Sequence, residues 1–353
     1  MAKHLSRIAD RSPSRGQLKR IDGNHHAPLR ALVLGGCGFI GSHLVDELVA
    51  AGQRVTVFDR SIQPAECDWQ GVRHFRHELA DTARLRQALL DTDLVYHLAG
   101  HAVPQTSQLD PLADIEDNLI GTVGLLDAMR TTACRRIVYF SSGGTVYGEA
   151  SAESIDESHP LRPVSAHGAM KLAIENYLGM YQRSHGIQPI VLRVANAYGP
   201  RQGKTGLQGF IGTCLYALLR HEALDIWGDG HTVRDYIHVS DVVRLARLAG
   251  ESVQRTGTFN VGSGSGISLN DLVALIERIV GRTMLTRCHP PRAFDARHIV
   301  LRNEHAAETF GWSPRVPLEQ GIQQTWEQLR TRWVDQAFRS TIVPVGMTAP
   351  RTT

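Results

Sequence analysis

The sequence has no apolar run that approaches the ~20 residues a membrane-spanning helix requires, and its N-terminus lacks the apolar core of a signal peptide. Its five cysteines are scattered singly among 353 residues, without a Cys-x-x-Cys pair or a histidine cluster at zinc-binding spacing. Residues 30–333 contain no internal repeat and no low-complexity segment. These absences exclude a membrane-spanning protein, a disulfide scaffold and a zinc module. We expect reduced thiols, a cytoplasmic location and no bound metal.

Charge is close to balanced over most of the chain. The formal net charge is +3, and residues 1–28 carry six Lys or Arg and two Asp, which leaves the remainder at −1. A body this close to neutral gives no reason to expect a nucleic-acid ligand. We interpret residues 1–28 as a disordered basic tail, with a weak nucleic-acid or membrane tether as the alternative. Residues 336–353 are interpreted as a second tail.

Short apolar runs alternate with segments of helical periodicity from residue 30 onward. Apolar residues make up 42% of the chain, enough for a sizeable core. The runs predict buried parallel strands at 31–34, 54–58, 94–98, 136–140 and 190–193. Such alternation is typical of a doubly wound parallel sheet. We therefore predict an α/β fold whose sheet domain occupies residues 29–199, with some sheet elements contributed by later residues.

The alternation breaks after about Gly199, where a polar, glycine-rich segment begins. Helical patterns follow at 268–280 and 318–332. We predict a smaller C-terminal α/β lobe over residues 200–335, which would bind the substrate.

A glycine-rich turn lies between the first predicted strand and the first predicted helix. Gly35, Gly38 and Gly41 have the spacing G-x-x-G-x-x-G, and Phe39 and Ile40 open the helix. The first glycine permits a tight turn, the second a close approach of backbone to a pyrophosphate, and the third close packing of helix on strand. Unpaired N–H groups and the positive dipole end of the helix favour the phosphates. This context predicts a dinucleotide site of the Rossmann type.

An acidic residue, Asp59, ends the second predicted strand, 18 residues after Gly41. A carboxylate at this point accepts a hydrogen bond from a ribose 2′-hydroxyl and repels a 2′-phosphate. The sequence therefore favours NAD over NADP, although the adjacent Arg60 would partly offset this discrimination.

Further blocks, together with the glycine turn, resemble the extended short-chain dehydrogenase/reductase family, especially nucleotide-sugar epimerases of the UDP-glucose 4-epimerase type. The resemblance runs from about residue 29 to residue 332. It rests on Tyr96-His-Leu-Ala-Gly100, Asn118-x-x-Gly-Thr122, Ser141-Ser-Gly-Gly-Thr-Val-Tyr-Gly148, Leu192-Arg-Val-Ala-Asn196, Tyr198-Gly-Pro-Arg-Gln202, Trp227-Gly-Asp-Gly230 and Arg234-Asp-Tyr-Ile-His-Val239. Together these blocks are specific to the family but not to one sugar.

The resemblance implies further residues around NAD. Leu98, Ala99 and Gly100 correspond to the end of the strand that lines the cofactor. Glu78 and Leu79 correspond to the pair that touches adenine, with glutamate one methylene longer than the usual aspartate.

The same resemblance implies residues that bind the substrate. Arg234, Arg292 and Asn196 correspond to residues that hold a nucleotide diphosphate, a role that suits the bidentate guanidinium. Trp227 corresponds to an aromatic beside the uracil, and Asp295 to a residue that touches the ribose. A UDP-sugar is the implied substrate class.

The catalytic block departs from the family pattern. The family's base is a tyrosine in Tyr-x-x-x-Lys on one helix face, where the lysine holds the nicotinamide ribose and lowers the tyrosine pKa. Here Lys171 is present, but His167 replaces the tyrosine. The hydroxyl that usually assists the tyrosine falls at Gly143, so Ser142 or Thr145 would have to supply it.

Histidine at this position leaves the activity open. Its ordinary pKa of about 6.5 would be lowered by Lys171 and by the nicotinamide cation, so His167 would be neutral at pH 7 and able to accept a proton. It would also be a weaker base, and imidazole reaches roughly 2 Å less than a phenol. Three outcomes stay open: normal epimerase activity, slow or altered catalysis, and a silent module that binds NAD and a nucleotide sugar. Nearby Tyr147 is interpreted as structural.

The loop before Tyr147 favours one reaction of the family. The family's dehydratases follow the threonine with Asp-Glu and its decarboxylases carry a glutamate, whereas this chain has Gly143-Gly144-Thr145. Elimination and decarboxylation would lack a proton-transfer partner. C4 epimerisation through a 4-keto sugar is therefore implied. The family also implies a homodimer built from helices near 117–130 and 167–182.

Overall fold

The computed structural model describes residues 28–100, 104–150, 152–202, 209–252 and 255–341. Of the two predicted tails, residues 1–27 and 342–353 lie outside the described residues. The described strands, in chain order, are β1 (Arg30–Leu34), β2 (Arg54–Phe58), β3 (Arg73–Phe75), β4 (Leu94–His97), β5 (Arg136–Ser142), β6 (Gln188–Val194), β7 (Asn196–Tyr198), β8 (Leu224–Trp227), β9 (Val233–His238), β10 (Gly257–Val261), β11 (Gly266–Ser268), β12 (Thr286–His289) and β13 (His298–Ile299).

Helices connect most of the strands. In chain order they are α1 (Phe39–Ala50), α2 (Thr82–Leu89), α3 (Pro104–Leu109), α4 (Pro111–Asp114), α5 (Gly121–Arg130), α6 (Ala166–His185), α7 (Phe210–Arg220), α8 (Val239–Glu251), α9 (Leu269–Val280), α10 (Glu304–Phe310) and α11 (Leu318–Thr341). A π-helical turn, Ile115–Ile120, joins α4 to α5.

Seven strands form one sheet in the order β3, β2, β1, β4, β5, β6 and β10. Every neighbouring pair runs parallel. The strand order reverses between β1 and β4, and such a switch leaves a crevice outside the carboxyl ends of those strands. The predicted doubly wound parallel sheet is confirmed, and β10 is a strand contributed by residues beyond 199.

Successive residues of a strand face opposite sides of the sheet, and each side has its own apolar layer. In β1, Ala31 and Val33 pack with side chains of α1 and α8, whereas Leu32 and Leu34 pack with α2, α5 and α6. All four residues are at most 2% exposed. Burial on both sides explains why this strand reads as an unbroken apolar run.

The C-terminal lobe contains two small sheets packed on α7, α9 and α11. In one sheet β9 runs parallel to β7 and β13 and antiparallel to β11, and in the other β8 pairs with β12. The core of the lobe includes Ile211, Leu272 and Ile322. Helix α11 reaches Thr341, beyond the predicted start of a tail at residue 336. No glycine or proline occurs between Gly321 and residue 343 to interrupt it.

Across the described ranges, no helix combines the length and the apolar character needed to cross a membrane. Within the same ranges, no three histidine, cysteine or carboxylate side chains gather in a way that could hold a metal ion.

A charged pair is buried near the carboxyl ends of β5 and β6. Arg193 Nη2 donates to Glu175 Oε2 at 2.7 Å, and the two side chains are 5% and 7% exposed. Ser141 donates to Glu175 Oε1 at 2.5 Å, and Arg193 Nη1 donates to the Tyr147 hydroxyl at 3.0 Å. Tyr147 in turn donates to Asn260 of β10 at 2.6 Å. These contacts place the Tyr147 hydroxyl within the buried network, in agreement with the structural role interpreted from the sequence.

Glu175→Ala is expected to lower the free energy of unfolding by about 3–5 kcal/mol, because it leaves a buried guanidinium without its counter-charge. Urea unfolding followed by circular dichroism measures the loss. Asp127→Ala is the matched control, since the pair of Asp127 with Arg130 is exposed and such pairs contribute about 0–1 kcal/mol. Equal losses in the two variants would contradict the expected difference between the pairs.

Candidate active site

A cavity of about 460 Å³ opens at the carboxyl ends of the central strands, between the sheet and the C-terminal lobe. It lies at the point where the strand order reverses, which is where doubly wound sheets bind ligands. The predicted residues that line it are Gly35, Gly38, Phe39, Ile40, Gly41, Leu98, Gly100, Ser142, Thr145, His167, Lys171, Asn196, Arg234, Arg292 and Asp295. The predicted residues that do not line it are Asp59, Arg60, Glu78, Leu79, Ala99 and Trp227.

The glycine turn after β1 forms a tight cradle. Gly35 has φ +79°, and a Cβ atom there would lie 2.7 Å from the backbone nitrogen of Ala99. A Cβ atom on Gly41 would collide with the carbonyl oxygen of Gly35. Gly38 is the N-cap of α1 and makes no side-chain capping hydrogen bond. The first N–H groups of α1 are therefore available to an anion in the cavity.

Asp59 is anchored beside the glycine turn. Its Oδ2 accepts from the backbone nitrogen of Cys37 at 2.9 Å, and its Oδ1 accepts from that of Ser61 at 2.8 Å. The carboxylate thus stands at the end of β2, next to the cavity wall rather than in it. In a dinucleotide site this is the flank that meets the adenosine ribose.

Four other predicted cofactor residues also stand outside the cavity wall. Arg60 and Glu78 are exposed, and Ala99 meets Gly35 through its backbone. Leu79 packs into the apolar layer with α5, where a Cβ atom on Gly121 would lie 2.8 Å from its side chain. In this structure Leu79 contributes to the core, because Gly121 leaves room for it at the helix surface.

Lys171 is buried in the cavity wall. Its Nζ donates to the carbonyl oxygen of Phe140 at 3.0 Å and lies 5.0 Å from the centre of the Tyr139 ring. Burial lowers the pKa of Lys171 to about 8, while the attraction of Asp114 and Glu175 acts in the opposite direction. Among the described residues neither carboxylate forms an ion pair with the ammonium, so its charge is available to a ligand.

His167 lies one helical turn before Lys171 on α6, and both line the cavity. The imidazole is 7% exposed, and its Nδ1 atom has no hydrogen-bond partner among the described residues. Burial, followed by repulsion from Lys171, lowers the pKa of His167 to about 3. The ring is therefore neutral at pH 7 and is a weak base.

The glycine pair before Thr145 is crowded at its first position. A Cβ atom on Gly143 would collide with Leu301 and lie 2.9 Å from the carbonyl oxygen of Arg193. A hydroxyl side chain therefore cannot enter at position 143 without movement of these neighbours. Ser142 and Thr145 line the cavity on either side, and Thr145 Oγ1 is buried without a partner among the described residues.

The lobe contributes polar side chains to another part of the cavity wall. Asn196 Nδ2 donates to a backbone carbonyl of β9 at 3.0 Å, and Arg234 Nη1 to another at 2.9 Å. Burial lowers the pKa of Arg234, with Asp295 among the groups that oppose the shift. Within the described residues, the salt bridges do not include Arg234 or Arg292. An anionic ligand would supply the missing counter-charge.

Trp227 lies outside the cavity wall, next to a residue that lines it. The ring of His289 stacks on it with 4.4 Å between centroids and 22° between planes. The guanidinium carbon of Arg292 lies 3.9 Å from the centre of the indole ring. Parallel pairing of β8 with β12 sets Trp227 beside His289 and so explains the stack.

Two cavity residues with useful chemistry, Phe294 and Gln202, are absent from the predicted set. Phe294 stands inside the Arg-x-x-Asp segment from Arg292 to Asp295, and its aromatic ring is a signal that the sequence does offer. Gln202 ends a block that carries the family resemblance, and its Nε2 donates to the carbonyl oxygen of Ala197 at 3.2 Å.

Comparison with known proteins agrees with this geometry. A model of the NAD dependent epimerase/dehydratase family matches residues 31–262. The UDP-glucose 4-epimerase of Mycolicibacterium smegmatis is 36% identical over 313 residues, which cover 86% of this chain and 99% of that protein. A putative UDP-glucose 4-epimerase of Methanocaldococcus jannaschii is 32% identical over 295 residues, which cover 83% of this chain and 96% of that protein.

Solved structures are similar over the same span. The UDP-glucose 4-epimerase of Thermotoga maritima, determined with UDP-glucose, has a TM-score of 0.82 at 35% identity and covers 86% of this chain and 100% of that one. The UDP-glucose 4-epimerase of Thermus thermophilus, determined with NAD, has a TM-score of 0.81 at 35% identity, with 86% and 99% covered. The likeness therefore includes both the sheet and the lobe.

Asp59→Ala is expected to weaken NAD binding roughly tenfold or more and to reduce the preference for NAD over NADP, because it removes a charged acceptor for the ribose hydroxyl. Calorimetric titration with each dinucleotide, after removal of copurified nucleotide, measures both effects. Asp68→Ala, which removes the same charge from an exposed site on the loop after β2, should change neither. Tighter binding of NADP than of NAD by the unmodified protein would contradict the assignment of Asp59.

Proposed function

The chain belongs to the NAD-dependent epimerase/dehydratase family, and on that premise we propose that it epimerises a UDP-hexose at C4 through a 4-keto intermediate. This is a family of NAD-dependent enzymes, and NAD is the cofactor of this chain. One observation carries the proposal. A single cavity joins the glycine turn and Lys171 to the guanidinium groups of Arg234 and Arg292, which form no salt bridge with any described residue.

The residues around the glycine turn fit NAD. The cradle of Gly35 and Gly41 leaves no room for side chains, and the start of α1 offers N–H groups to a pyrophosphate. Bound there, NAD would supply the hydride chemistry, because a nicotinamide can take up a hydride from a sugar and return it. In the proposal Asp59 holds the adenosine ribose and Lys171 holds the nicotinamide ribose.

The guanidinium groups of Arg234 and Arg292 in the cavity wall support a nucleotide diphosphate as the second ligand. Arg234 is held in place through its bond to the backbone of β9, and Arg292 reaches the cavity from the segment after β12. Two bidentate donors match the two phosphates of UDP, and Asn196 adds a neutral donor. Asp295, beside Arg292, is available to the ribose.

His167 takes the position of the base in this proposal. Its neutral imidazole accepts the proton of the sugar O4 hydroxyl during oxidation and returns it when the ketone is reduced on the opposite face. The hydroxyls of Ser142 and Thr145 are available to hydrogen-bond O4. Because the pKa of His167 lies at about 3, the protonated imidazole is unstable in the site, and we expect slow turnover.

The acids of the cavity wall favour epimerisation over elimination. Among the described lining residues, Asp295 is the single carboxylate, and it lies on the nucleotide side next to Arg292. An elimination or a decarboxylation would need a proton-transfer group beside the sugar. Epimerisation requires only that one proton and one hydride leave and return.

A silent binding module is the second candidate function. The specific observation in its favour is the pKa of about 3 at His167, since a base this weak takes a proton from a hydroxyl with difficulty. Such a module would keep the NAD site and the nucleotide site and would lack turnover.

His167→Tyr is expected to raise kcat for interconversion of UDP-glucose and UDP-galactose by roughly 100-fold, because a phenol reaches the sugar hydroxyl and Lys171 lowers its pKa. Proton NMR of the anomeric signals measures the rate. In the unmodified protein the rate should not change between pH 5 and 7, since a pKa of about 3 keeps the imidazole neutral throughout.

His167→Phe is the matched control, because it keeps an aromatic ring without a proton acceptor. It should abolish turnover while NAD binding is retained. Undiminished turnover in His167→Phe would contradict any role of this residue as the base. No turnover in the unmodified protein, with UDP-sugar binding intact, would favour the silent module.

A homodimer completes the proposal. Exposed apolar side chains lie on α4, on the π-helical turn and on α6, and they include Leu112, Ile120, Tyr177 and Met180. Three of them, Ile120, Tyr177 and Met180, lie on the helices near 117–130 and 167–182 that the family resemblance assigns to a bundle between subunits, and Leu112 lies just before the first of these. A second copy of the chain would cover these side chains.

The double variant Ile120→Glu/Met180→Glu is expected to be a monomer, because it places carboxylates on the apolar surface. Light scattering should give a mass near the 38.9 kDa of one chain for the variant and about twice that for the unmodified protein. Leu285→Glu, at an exposed leucine of the lobe, should leave the mass unchanged. A mass of one chain for the unmodified protein at micromolar concentration would contradict the dimer.

A further inference from the structure

The indole of Trp227 is part of a stack that leads from the lobe surface to the cavity. Asp225 and Trp227 lie on β8, and His289 ends the paired strand β12. His289 Nε2 lies 2.8 Å from Asp225 Oδ1, and the imidazole stacks on the indole at 4.4 Å. The strand pairing and the hydrogen bond together hold the indole in one orientation.

Arg292 is the member of this stack that reaches the cavity. Its guanidinium carbon lies 3.9 Å from the centre of the indole ring, well within the distance of a cation–π contact. Arg292 lines the cavity and Trp227 does not. An arginine side chain has several rotatable bonds, so a guanidinium at a cavity wall needs a partner to remain in one position.

We propose that Trp227 is a positioning residue, whose indole holds the guanidinium of Arg292 at the cavity wall while His289 braces the ring. The functional consequence rests on the proposed function, in which Arg292 binds the diphosphate. A ligand does not need to touch Trp227 for this role. Phe294 is the aromatic residue on the same segment that does line the cavity and is open to direct contact with a ligand.

Direct contact of Trp227 with the nucleobase would have different consequences. If Trp227 binds the base itself, its loss and the loss of Arg292 remove independent contacts, and their effects multiply. If Trp227 acts through Arg292, the loss of Arg292 removes the effect of Trp227 as well. Trp227 and Arg292 are in contact, so a double-mutant cycle measures this difference.

The contact itself is tested without any ligand. Stacking over the indole should shift the Nε proton of Arg292 upfield in the proton–nitrogen NMR spectrum of the full chain, with the signal assigned by its loss in Arg292→Lys. Trp227→Leu should move the signal downfield, and Trp227→Phe should restore most of the shift. Phe294→Leu, whose ring lies 5.9 Å from the guanidinium, is the matched control and should move it less. An Arg292 signal unchanged by Trp227→Leu would overturn the inference.

The functional consequence is tested by calorimetric titration with UDP. Trp227→Leu should weaken UDP binding about three- to tenfold, Trp227→Phe should recover most of the affinity, and Trp227→Leu should have no further effect in the Arg292→Met background. Equal fold-losses in both backgrounds would overturn the positioning role. Absence of UDP binding by the unmodified protein would contradict the proposed function, whereas the ligand-free NMR comparison would still decide the place of Trp227.

Discussion

The buried pair of Glu175 and Arg193 joins helix α6 to the central sheet, and the geometry of the cavity depends on that joint. Helix α6 carries His167 and Lys171 on the face that points to the cavity, two turns and one turn before Glu175, respectively. The same carboxylate accepts from Ser141, next to Ser142 of the cavity wall. The pair therefore sets the distance between the helix groups and the strand groups that meet around the ligand.

Burial lowers the pKa of two side chains that lie one turn apart on α6, but it leaves them in different charge states at neutral pH. At Lys171 it lowers the pKa to about 8, but nearby carboxylates keep the ammonium largely charged at neutral pH. At His167 burial and the charge of Lys171 act together, so the imidazole is uncharged. The Lys171 cation and the neutral His167 ring therefore lie next to each other. This arrangement suits a lysine that binds the ligand and a histidine that exchanges a proton with it.

Features that depend on local chain chemistry could be predicted from the sequence, and features that depend on tertiary packing could not. The apolar run of β1 and the glycine turn can each be recognised from a few consecutive residues, because two-sided burial and a tight turn each require particular residue types. The packing of Leu79 beside Gly121, a residue 42 positions away, has no signal in the sequence around either residue. The stack of His289 on Trp227 depends on the pairing of β8 with β12, which has no signature in either strand alone.

The crowding at Gly143 bears on how this active site can change over successive generations. A serine or threonine introduced there alone meets Leu301 and the carbonyl of Arg193, so its effect depends on which side chain occupies position 301. A smaller residue at position 301 would relieve only the contact with Leu301, and it would leave a cavity in the packed cluster to which Leu301 belongs. His167 lines the cavity, so a phenol at this position would have open space beside it. A phenol at position 167 therefore needs one substitution, whereas a hydroxyl at position 143 also needs its packed neighbours to move.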